Sequence, residues 1–419
     1  MTGSPMKHLF ALAAFTILAA PLAAAPKVTS IFKPGAEGEI VKLDQQGRLE
    51  LKVAGSDVAE RVPLDEIEEI SMGLSAVERK PDETPLRLVL TNGDLLFGAP
   101  LDDPGGADDL FKFTSPRLGE LTVGIEHVRR IESVRNVKPG VLAELDANAK
   151  YDCAYFAAEG DKREESDPRA ELVRIGKDGI NIYNDLINGE KYEGDKYPWS
   201  RLRGVVCKRE AFAASNELTG IFTLRDGTIL RGKVKAWGGG EIVVVHPLLK
   251  EIKLSERNVM TVTFKNGRYV YLSDMEFGKT PEERPYYLPA DFKPEDHLFK
   301  VKRDSAQGGS PISIRGKVYA KGLGVHAISK LTFNLRKGYS KLVGIAGVDD
   351  SAGDLASVEF KIYGDGKLLY ESGVLRRSSS EKAIDISLVN VEELVLEVTA
   401  ADNADVQDRA NWANIKVVR

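Results

Sequence analysis

The sequence predicts a mainly β protein in which small repeated β-barrels precede a two-sheet β-sandwich. Short segments with alternating polar and apolar residues recur along the chain, whereas the helical spacing of apolar residues is scarce. Asn-Gly or Asp-Gly dipeptides at 92–93, 226–227 and 266–267 follow apolar segments, and such dipeptides favour the tight turns of β-hairpins. With 419 residues, the chain is long enough for about two to four domains.

The composition is that of a soluble globular protein. Hydrophobic residues make up 42% of the chain and charged residues 29%. The formal net charge is -5, and the basic residues lie scattered among acidic ones. A nucleic-acid ligand is therefore not expected, because such proteins concentrate positive charge on one face or stretch.

The N-terminus has the features of a secretory signal peptide. A Met-Lys-His triplet at 6–8 is followed by an apolar run at 9–20 and by small residues at 23–25. The apolar run is shorter than the roughly 20 residues that a membrane-spanning helix needs, so an uncleaved anchor is the less favoured alternative. The sequence predicts that residues 1–25 are removed and that the mature chain, without a membrane span, is secreted, periplasmic or at the cell surface.

Export gives the two cysteines two alternative states. Cys153 and Cys207 would lie in a compartment that permits disulfide bonds. They form either one disulfide or two buried thiols, and the sequence leaves both open.

The repeated barrels are predicted at 28–135 and 150–270. The segments "LVLTNGDLLFGAPL" and "FTLRDGTILRGKVK" share one pattern, and the closing segments "IEHVRRI" and "LSERNVMTV" follow them at similar spacing. Two further segments match this unit in part. Four five-stranded units of this size would be Sm-like β-barrels packed in pairs, and they offer a candidate surface for a protein partner.

Residues 271–419 form the second predicted region. Strand patterns such as "LTFNL", "KLVGIAGV" and "SVEFKIY" recur there, and "GDGK" turns one hairpin. Many short antiparallel strands with regular turns indicate a two-sheet sandwich of jelly-roll type.

The same region resembles a known family. The segments "YAKGLGVHAISKLTFNL", "GYSKLVGIAGVDD", "VEFKIYGDGKLLYESGVL" and "ANWANIKV" are similar to the NPCBM family of carbohydrate-binding modules, also placed in carbohydrate-binding family 51. The resemblance implies a galactose-binding-like β-sandwich in a secreted bacterial protein, a glycan ligand and, in some members, a structural calcium ion. The family commonly ends in a His-Ala-Asp-Trp-Ala-like motif, whereas this chain reads Arg-Ala-Asn-Trp-Ala-Asn at 409–414.

Candidate ligand-binding residues follow from how proteins hold sugars. An aromatic face meets the apolar side of the sugar ring, and planar polar groups bind its hydroxyls. The densest cluster of such residues comprises Asp408, Arg409, Asn411, Trp412 and Asn414. The alternative is that Trp412 belongs to the core. His326 either fixes the fold or contacts the ligand, because no partner motif for catalysis lies nearby.

Three aspartates are candidate calcium ligands. Asp349, Asp350 and Asp354 can supply the hard oxygen atoms that calcium prefers. Their spacing is not that of an EF-hand loop. The alternative is that these acids cap a turn.

No enzyme motif emerges from the sequence. It contains no His-Glu-x-x-His, Gly-x-Ser-x-Gly or Walker motif, and two cysteines are too few for a Cys-rich zinc site. The main hypothesis is a secreted, non-catalytic protein whose C-terminal module binds a glycan weakly, with galactose as one sugar type. The alternatives are an extracellular scaffold or adhesion protein whose sandwich contacts proteins, and a glycoside hydrolase with an unrecognised active site.

Overall fold

A computed structural model describes residues 24–32, 35–53, 55–56, 58–102, 109–134, 142, 146, 152–157, 165–167, 170–184, 195–210, 212–213, 217–265, 267–283, 299–402 and 404–419. The predicted signal peptide, except for its last two residues, lies outside them. Within these ranges, no helix is both long and apolar enough to cross a membrane.

The N-terminal part consists of strands joined by turns. Its strands are β1 Lys27–Ser30, β2 Ala36–Leu43, β3 Arg48–Val53, β4 Glu60–Pro63, β5 Ile67–Ser71, β6 Leu86–Leu90, β7 Leu95–Pro100, β8 Leu110–Ser115, β9 Gly119–Gly124, β10 Val128–Ser133, β11 Cys153–Phe156, β12 Glu165–Asp167, β13 Ala170–Gly176, β14 Gly179–Asn184, β15 Asp195–Pro198, β16 Leu202–Val206, β17 Thr219–Leu224, β18 Ile229–Gly238, β19 Glu241–His246, β20 Lys250–Ser255 and β21 Val259–Lys265. Short 3-10 helices precede β5, β10, β16 and β21, at Leu64–Glu66, Ile125–His127, Trp199–Arg201 and Glu256–Asn258.

The C-terminal part continues the β architecture. Its strands are β22 Tyr269–Tyr271, β23 Glu282–Glu283, β24 Lys302–Arg303, β25 Ile312–Ile314, β26 Lys317–Tyr319, β27 Gly322–His326, β28 Ser329–Asn334, β29 Lys341–Val348, β30 Ser357–Gly364, β31 Lys367–Arg376, β32 Lys382–Ser387, β33 Glu393–Ala400 and β34 Arg409–Val418. One 3-10 helix, Leu272–Asp274, follows β22. The prediction of a mainly β protein is confirmed.

The N-terminal strands fall into four groups with a shared order of elements. Each group ends with a 3-10 helix and a final strand. In every group this final strand pairs antiparallel with the first strand: β5 with β1, β10 with β6, β16 with β11, and β21 with β17. The final strands also join the groups, because β5 pairs with β21 and β10 pairs with β16. The description of these groups as separate Sm-like barrels, and the boundaries at 28–135 and 150–270, stay predictions.

One hydrophobic core runs through all four groups. Alternate residues of the strands face inward, as the period of an extended chain requires. Leu49, Leu90, Ile180 and Phe264, one from each group, belong to the same cluster of buried side chains. The four groups therefore pack against one another through a shared core and are not independent units joined by linkers.

The two cysteines are buried thiols, and no bond joins their sulfur atoms. Cys153 lies directly opposite Val206 in the β11–β16 pair. Residues opposite each other face the same side of a sheet, and successive residues alternate, so the side chain of Cys207 points to the other face. Burial also raises the pKa of the Cys207 thiol. The structure thus agrees with the thiol alternative.

A buried pair, His246 and Asp94, joins the second and fourth groups. Nδ1 of His246 accepts hydrogen bonds from the backbone N–H groups of Leu248 and Leu249, each at 3.0 Å. The proton is therefore on Nε2, which donates to Oδ2 of Asp94 at 2.5 Å. Both side chains are fully buried. Because both ring nitrogens are engaged inside the protein, this pair holds the fold together and leaves no nitrogen for a substrate.

The C-terminal part is a two-sheet sandwich, as predicted. One sheet has the order β24-β27-β34-β29-β32, with β22 also paired to β34, and the facing sheet has the order β23-β28-β33-β30-β31. The core between them includes Phe333, Phe360 and Trp412. A small hairpin, β25–β26, packs through Ile312 and Tyr319 against Ala413 of β34.

A buried ion pair connects the sandwich to the first N-terminal group. The Lys416 ammonium contacts Oε1 of Glu68, and the two side chains are only 1% and 6% exposed. The Tyr271 hydroxyl donates to the same Oε1 at 3.2 Å, and the rings of Tyr269 and Tyr271 lie 5.7 and 5.3 Å from the ammonium. Burial lowers the pKa of Lys416, and the nearby carboxylate of Glu68 opposes that shift.

Candidate functional site

One end of the sandwich collects most of the residues that the sequence singles out. The loops after β29, β31 and β33 all lie at this end, because the strands they connect are antiparallel. Arg409 at the start of β34 is opposite His326, and the next residue, Ala410, is opposite Val348 at the end of β29. The aspartates that follow β29 are therefore neighbours of the β34 motif.

Trp412 lies in the core of the sandwich. Its side chain is 0% exposed, and its ring meets that of Phe360 edge-on with centroids 4.8 Å apart. An indole that is enclosed between two sheets has no face open to a sugar. This placement agrees with the core alternative for Trp412.

Asn411 and Asp349 form a buried polar link beneath the end of the sandwich. Nδ2 of Asn411 donates to Oδ2 of Asp349 at 2.6 Å. Oδ1 of Asp349 accepts from the backbone N–H of Ser351 at 2.9 Å and from the Ser351 hydroxyl. This carboxylate therefore fixes the loop after β29 with both of its oxygen atoms.

His326 is also occupied inside the protein. It is 6% exposed, and its Nδ1 lies 2.6 Å from the carbonyl oxygen of Ala327, to which it donates. The ring packs edge-on against Phe299, with centroids 4.4 Å apart. Burial lowers the pKa of His326, so the imidazole is mainly neutral at neutral pH. These contacts agree with a role in fixing the fold.

Arg409 and Asn414 are both half-buried but lie apart. Nη1 of Arg409 donates to the carbonyl oxygen of Ser351 at 3.2 Å. Asn414 lies farther along β34 on left-handed backbone, with φ 51°, and its N–H donates to the carbonyl oxygen of Lys321 at 2.8 Å. The structure therefore separates Asn414 from the other residues of the motif.

Asp408 is a buried acid with one oxygen atom satisfied. Oδ1 accepts from the backbone N–H of Ser357 at 2.7 Å, whereas Oδ2 is buried with no hydrogen-bond partner among the described residues. Burial, together with the negative charges of Asp405 and Asp402, raises the pKa of Asp408 to about 7. The carboxyl group is therefore partly protonated near neutral pH.

The Asp408→Asn variant is expected to change how stability depends on pH. Between about pH 4 and about pH 7, folded Asp408 keeps a proton that the unfolded chain has lost, so the parent protein loses stability as the pH rises. Asparagine keeps the acceptor for Ser357 and cannot ionise. The variant should melt at a higher temperature than the parent above pH 7, and this gain should vanish near pH 4. A difference in melting temperature between variant and parent that stays the same from pH 4 to above pH 7 would contradict the raised pKa of Asp408.

An open cleft lies at one edge of the same end, between the β25–β26 hairpin and the loops after β29 and β31. It has a volume of about 650 Å³ and is lined by Arg315, Gly316, Asp350, Asp354, Arg376, Arg377 and Ser378. Asp350 anchors the hairpin, because its carboxylate accepts from the N–H groups of Arg315 and Gly316, each at 2.8 Å, and from the Ser313 hydroxyl. The cleft is therefore polar and has a braced wall.

The three predicted calcium ligands do not converge. The carboxylate oxygens of Asp349 and Asp350 accept hydrogen bonds from different donors of the protein. Asp354 has a side chain that is 95% exposed and faces Arg377 at 3.5 Å. Among the described residues, no group of three or more His, Cys, Asp or Glu side chains is placed to hold a metal ion. The three aspartates therefore do not form one cluster in this structure, and the calcium site stays a prediction.

Sequence reasoning missed the arginines of the cleft. Arg376 and Arg377 stand in "LRRSSS", and Arg315 stands in the turn "SIRGK". In the sequence, a pair of arginines next to three serines between two strands indicates an exposed basic turn, and this feature could have identified Arg376 and Arg377. The third arginine comes from a separate hairpin, so only the fold brings it near the pair.

The C-terminal sandwich matches a known domain. A model of the NPCBM/NEW2 domain matches residues 269–418. A protein of Akkermansia muciniphila named alpha-1,3-galactosidase B is 31% identical over 120 residues, which are 28% of this chain and 15% of that protein. A protein of Renibacterium salmoninarum named for endo-alpha-N-acetylgalactosaminidase activity is 27% identical over 173 residues, which are 41% of this chain and 11% of that protein. The chain thus spans a small fraction of the curated relatives it matches.

Solved structures include similar modules. The CBM51 module of Clostridium perfringens GH95 in complex with methyl-galactose is 23% identical, with a TM-score of 0.31, and the similarity covers 36% of this chain and 99% of that one. The tandem CBM51 modules of Streptococcus pneumoniae Sp3GH98 are 13% identical, with a TM-score of 0.30, and the similarity covers 82% of this chain and 95% of that one.

Proposed function

We propose that residues 269–418, an NPCBM/NEW2 domain, bind a galactose-type glycan and that the chain is a secreted, non-catalytic protein. The observation that carries the proposal is the open polar cleft at one edge of this domain. The names of the two curated relatives refer to enzymes of galactosides and N-acetylgalactosaminides, which supports galactose as the sugar type. The N-terminal signal-peptide pattern supports export.

The cleft has the groups that bind sugar hydroxyls. The guanidinium groups of Arg315 and Arg377 can donate hydrogen bonds to sugar hydroxyls, and the carboxylate of Asp354 can accept hydrogen bonds from them. The cleft is open to solvent, so it covers only part of a sugar, and a single site binds weakly. Tight attachment to a surface then requires several sites acting together.

A glycosidase mechanism has little support at this cleft. Such enzymes need one carboxylic acid that gives up its proton and a second carboxylate opposite it. Asp350 accepts hydrogen bonds from three donors, which favour its ionised form. Asp354 is 95% exposed to solvent, whereas a general acid lies in surroundings that disfavour its charged form.

The proposal predicts that a bulky side chain in the cleft abolishes glycan binding. Ser378 lines the cleft and is exposed, so Ser378→Trp fills the cleft without removing a known protein contact. The full chain, immobilised or tagged, is tested on an array of galactosides and N-acetylgalactosaminides. Binding should fall at least about tenfold in Ser378→Trp, which corresponds to about 1.4 kcal/mol.

The matched control is Ser380→Trp, which adds the same indole to the same exposed turn outside the cleft lining. This variant should bind as the parent does. A folded parent that binds no glycan would contradict the proposal and favour the scaffold hypothesis, for which capture of a defined protein partner by the N-terminal groups is the next measurement.

A further inference from the structure

We propose that this cleft prefers acidic sugars, carrying a carboxylate or a sulfate group, over neutral ones, and that Arg315 and Arg377 contact the negative group. The inference rests on the proposed function, because it assumes that the cleft takes a glycan. It adds the charge of the ligand and the residues that recognise it.

Arg315 is presented to the cleft by a braced turn. It lies on left-handed backbone, with φ 54°, and Gly316 follows with φ 76°. Both N–H groups of this turn donate to the carboxylate of Asp350, which holds the turn in place although left-handed backbone is unfavourable for arginine. The Arg315 side chain is exposed, and within the described ranges its guanidinium has no hydrogen-bond or ion-pair partner.

Arg377, from the turn after β31, is the second available cation. Its ion-pair contact is with Asp354, at 3.5 Å, and the side chains of the two residues are 49% and 95% exposed. Ion pairs at such exposure contribute little, so a ligand can replace this contact at small cost. A negative group placed between Arg315 and Arg377 would meet two guanidinium groups from different walls of the cleft.

Arg376 differs from its neighbour. Its Nη1 donates to Oδ1 of Asp402 at 3.2 Å, and its Nη2 pairs with the other oxygen of the same carboxylate. This two-point contact engages the guanidinium fork and raises the pKa of Arg376. The Arg376 guanidinium is therefore occupied by Asp402, and Arg315 and Arg377 are the arginines that can contact the negative group of the sugar.

Two carboxylates also line the cleft, and hydrogen-bond donors of the protein occupy one of them. Both oxygens of Asp350 accept hydrogen bonds from the hairpin, and the exposed carboxylate of Asp354 contacts Arg377, a contact that the negative group of a ligand can replace. Among the described residues that line the cleft, none has an aromatic side chain. Neutral sugars depend on an aromatic face for much of their binding, whereas a planar carboxylate or a sulfate matches the guanidinium fork. The lining therefore favours an acidic sugar.

The test compares matched ligands on the full chain. Methyl-galactoside, sialylated galactoside, galacturonic acid and sulfated galactose are titrated at low and at physiological ionic strength. At least one acidic ligand should bind about tenfold more tightly than methyl-galactoside, and the preference should shrink as salt increases. Comparing the sialylated, uronic and sulfated ligands tells which negative group the cleft takes.

Arg315→Gln and Arg377→Gln should each remove most of this preference, because the affinity for the acidic ligands falls much more than the affinity for the neutral galactoside. Lys317→Gln is the control, because it removes one positive charge from the same hairpin at a residue outside the cleft lining, where the ammonium lies 5.1 Å from the Tyr319 ring. It should keep the preference.

Three outcomes would overturn the inference. Equal affinity for acidic and neutral galactosides would refute the charge preference and leave the proposed glycan binding intact. Competition by inorganic sulfate as effective as by the sulfated sugar would show a simple anion site. Absence of binding to every glycan, neutral or acidic, would refute the proposed function together with the inference.

Discussion

Replacing Lys416 by methionine is expected to lower the free energy of unfolding by about 3–5 kcal/mol. Methionine fills similar space, but the change leaves the carboxylate of Glu68 buried, with the Tyr271 hydroxyl as its remaining hydrogen-bond donor. An unpaired charge in this position is far more costly than a lost surface contact. In calorimetry, the full chain should melt about 10 °C lower, given the usual shift of about 2–4 °C per kcal/mol in a domain of this size.

Two controls separate the buried pair from a general loss of charge. Lys416→Met combined with Glu68→Gln removes both charges and keeps an acceptor for the Tyr271 hydroxyl, so most of the lost stability should return. Lys341→Met breaks an exposed pair with Asp385, in which the side chains are 43% and 61% exposed, and should cost less than about 1 kcal/mol. A loss at Lys416 no larger than at Lys341 would show that the buried pair contributes little.

Asp94→Asn is expected to destabilise the N-terminal part by about 3 kcal/mol or more. The carboxylate of Asp94 accepts from Nε2 of His246 and from Nη1 of Arg231, the latter at 3.0 Å. An asparagine in this place has only one acceptor oxygen, and its NH₂ group would face a donor in a fully buried site. Because the pair spans the second and fourth groups, their contact should weaken together with the global stability. Denaturant unfolding of the full chain measures the loss.

The control for this change is Asp226→Asn. Asp226 is also a buried turn aspartate, but its Oδ1 accepts from the backbone N–H of Thr228 at 3.0 Å and no ion pair involves its side chain in the described part of the chain. Asparagine keeps that acceptor, so stability should change by less than about 1 kcal/mol. Equal losses at Asp94 and Asp226 would mean that the hydrogen bonds of Asp94 to His246 and Arg231 are not the cause.

Much of the fold could be predicted from local patterns. Alternating residues in "RLELKV" predict a strand with one buried face, and in the structure Leu49 and Leu51 are fully buried. The Asn92-Gly93 and Asp226-Gly227 dipeptides stand at turns between paired strands, as predicted. Each of these features depends on residues close together in the chain, so the sequence carries the information locally.

The candidate site was less predictable. Spacing and residue type singled out Trp412 and Asn411, but their burial depends on the second sheet, which covers them. The same limit applies to Asp349 and Asp350, because hydrogen-bond donors from neighbouring loops occupy their carboxylates. Whether a polar side chain faces solvent or protein is decided by elements that are distant in sequence.

The sequence by itself determined the mainly β class and the family of the C-terminal domain, because strand periodicity, turn dipeptides and ordered motifs are local. Only the tertiary structure decided which arginines border the cleft and that Lys416 pairs with Glu68, 348 positions away. Those contacts arise when separate elements pack, since burial strengthens the attraction between opposite charges and makes an unpaired charge costly. Local patterns therefore determined where the strands lie in the sequence, and long-range packing determined which charged and polar side chains contact one another.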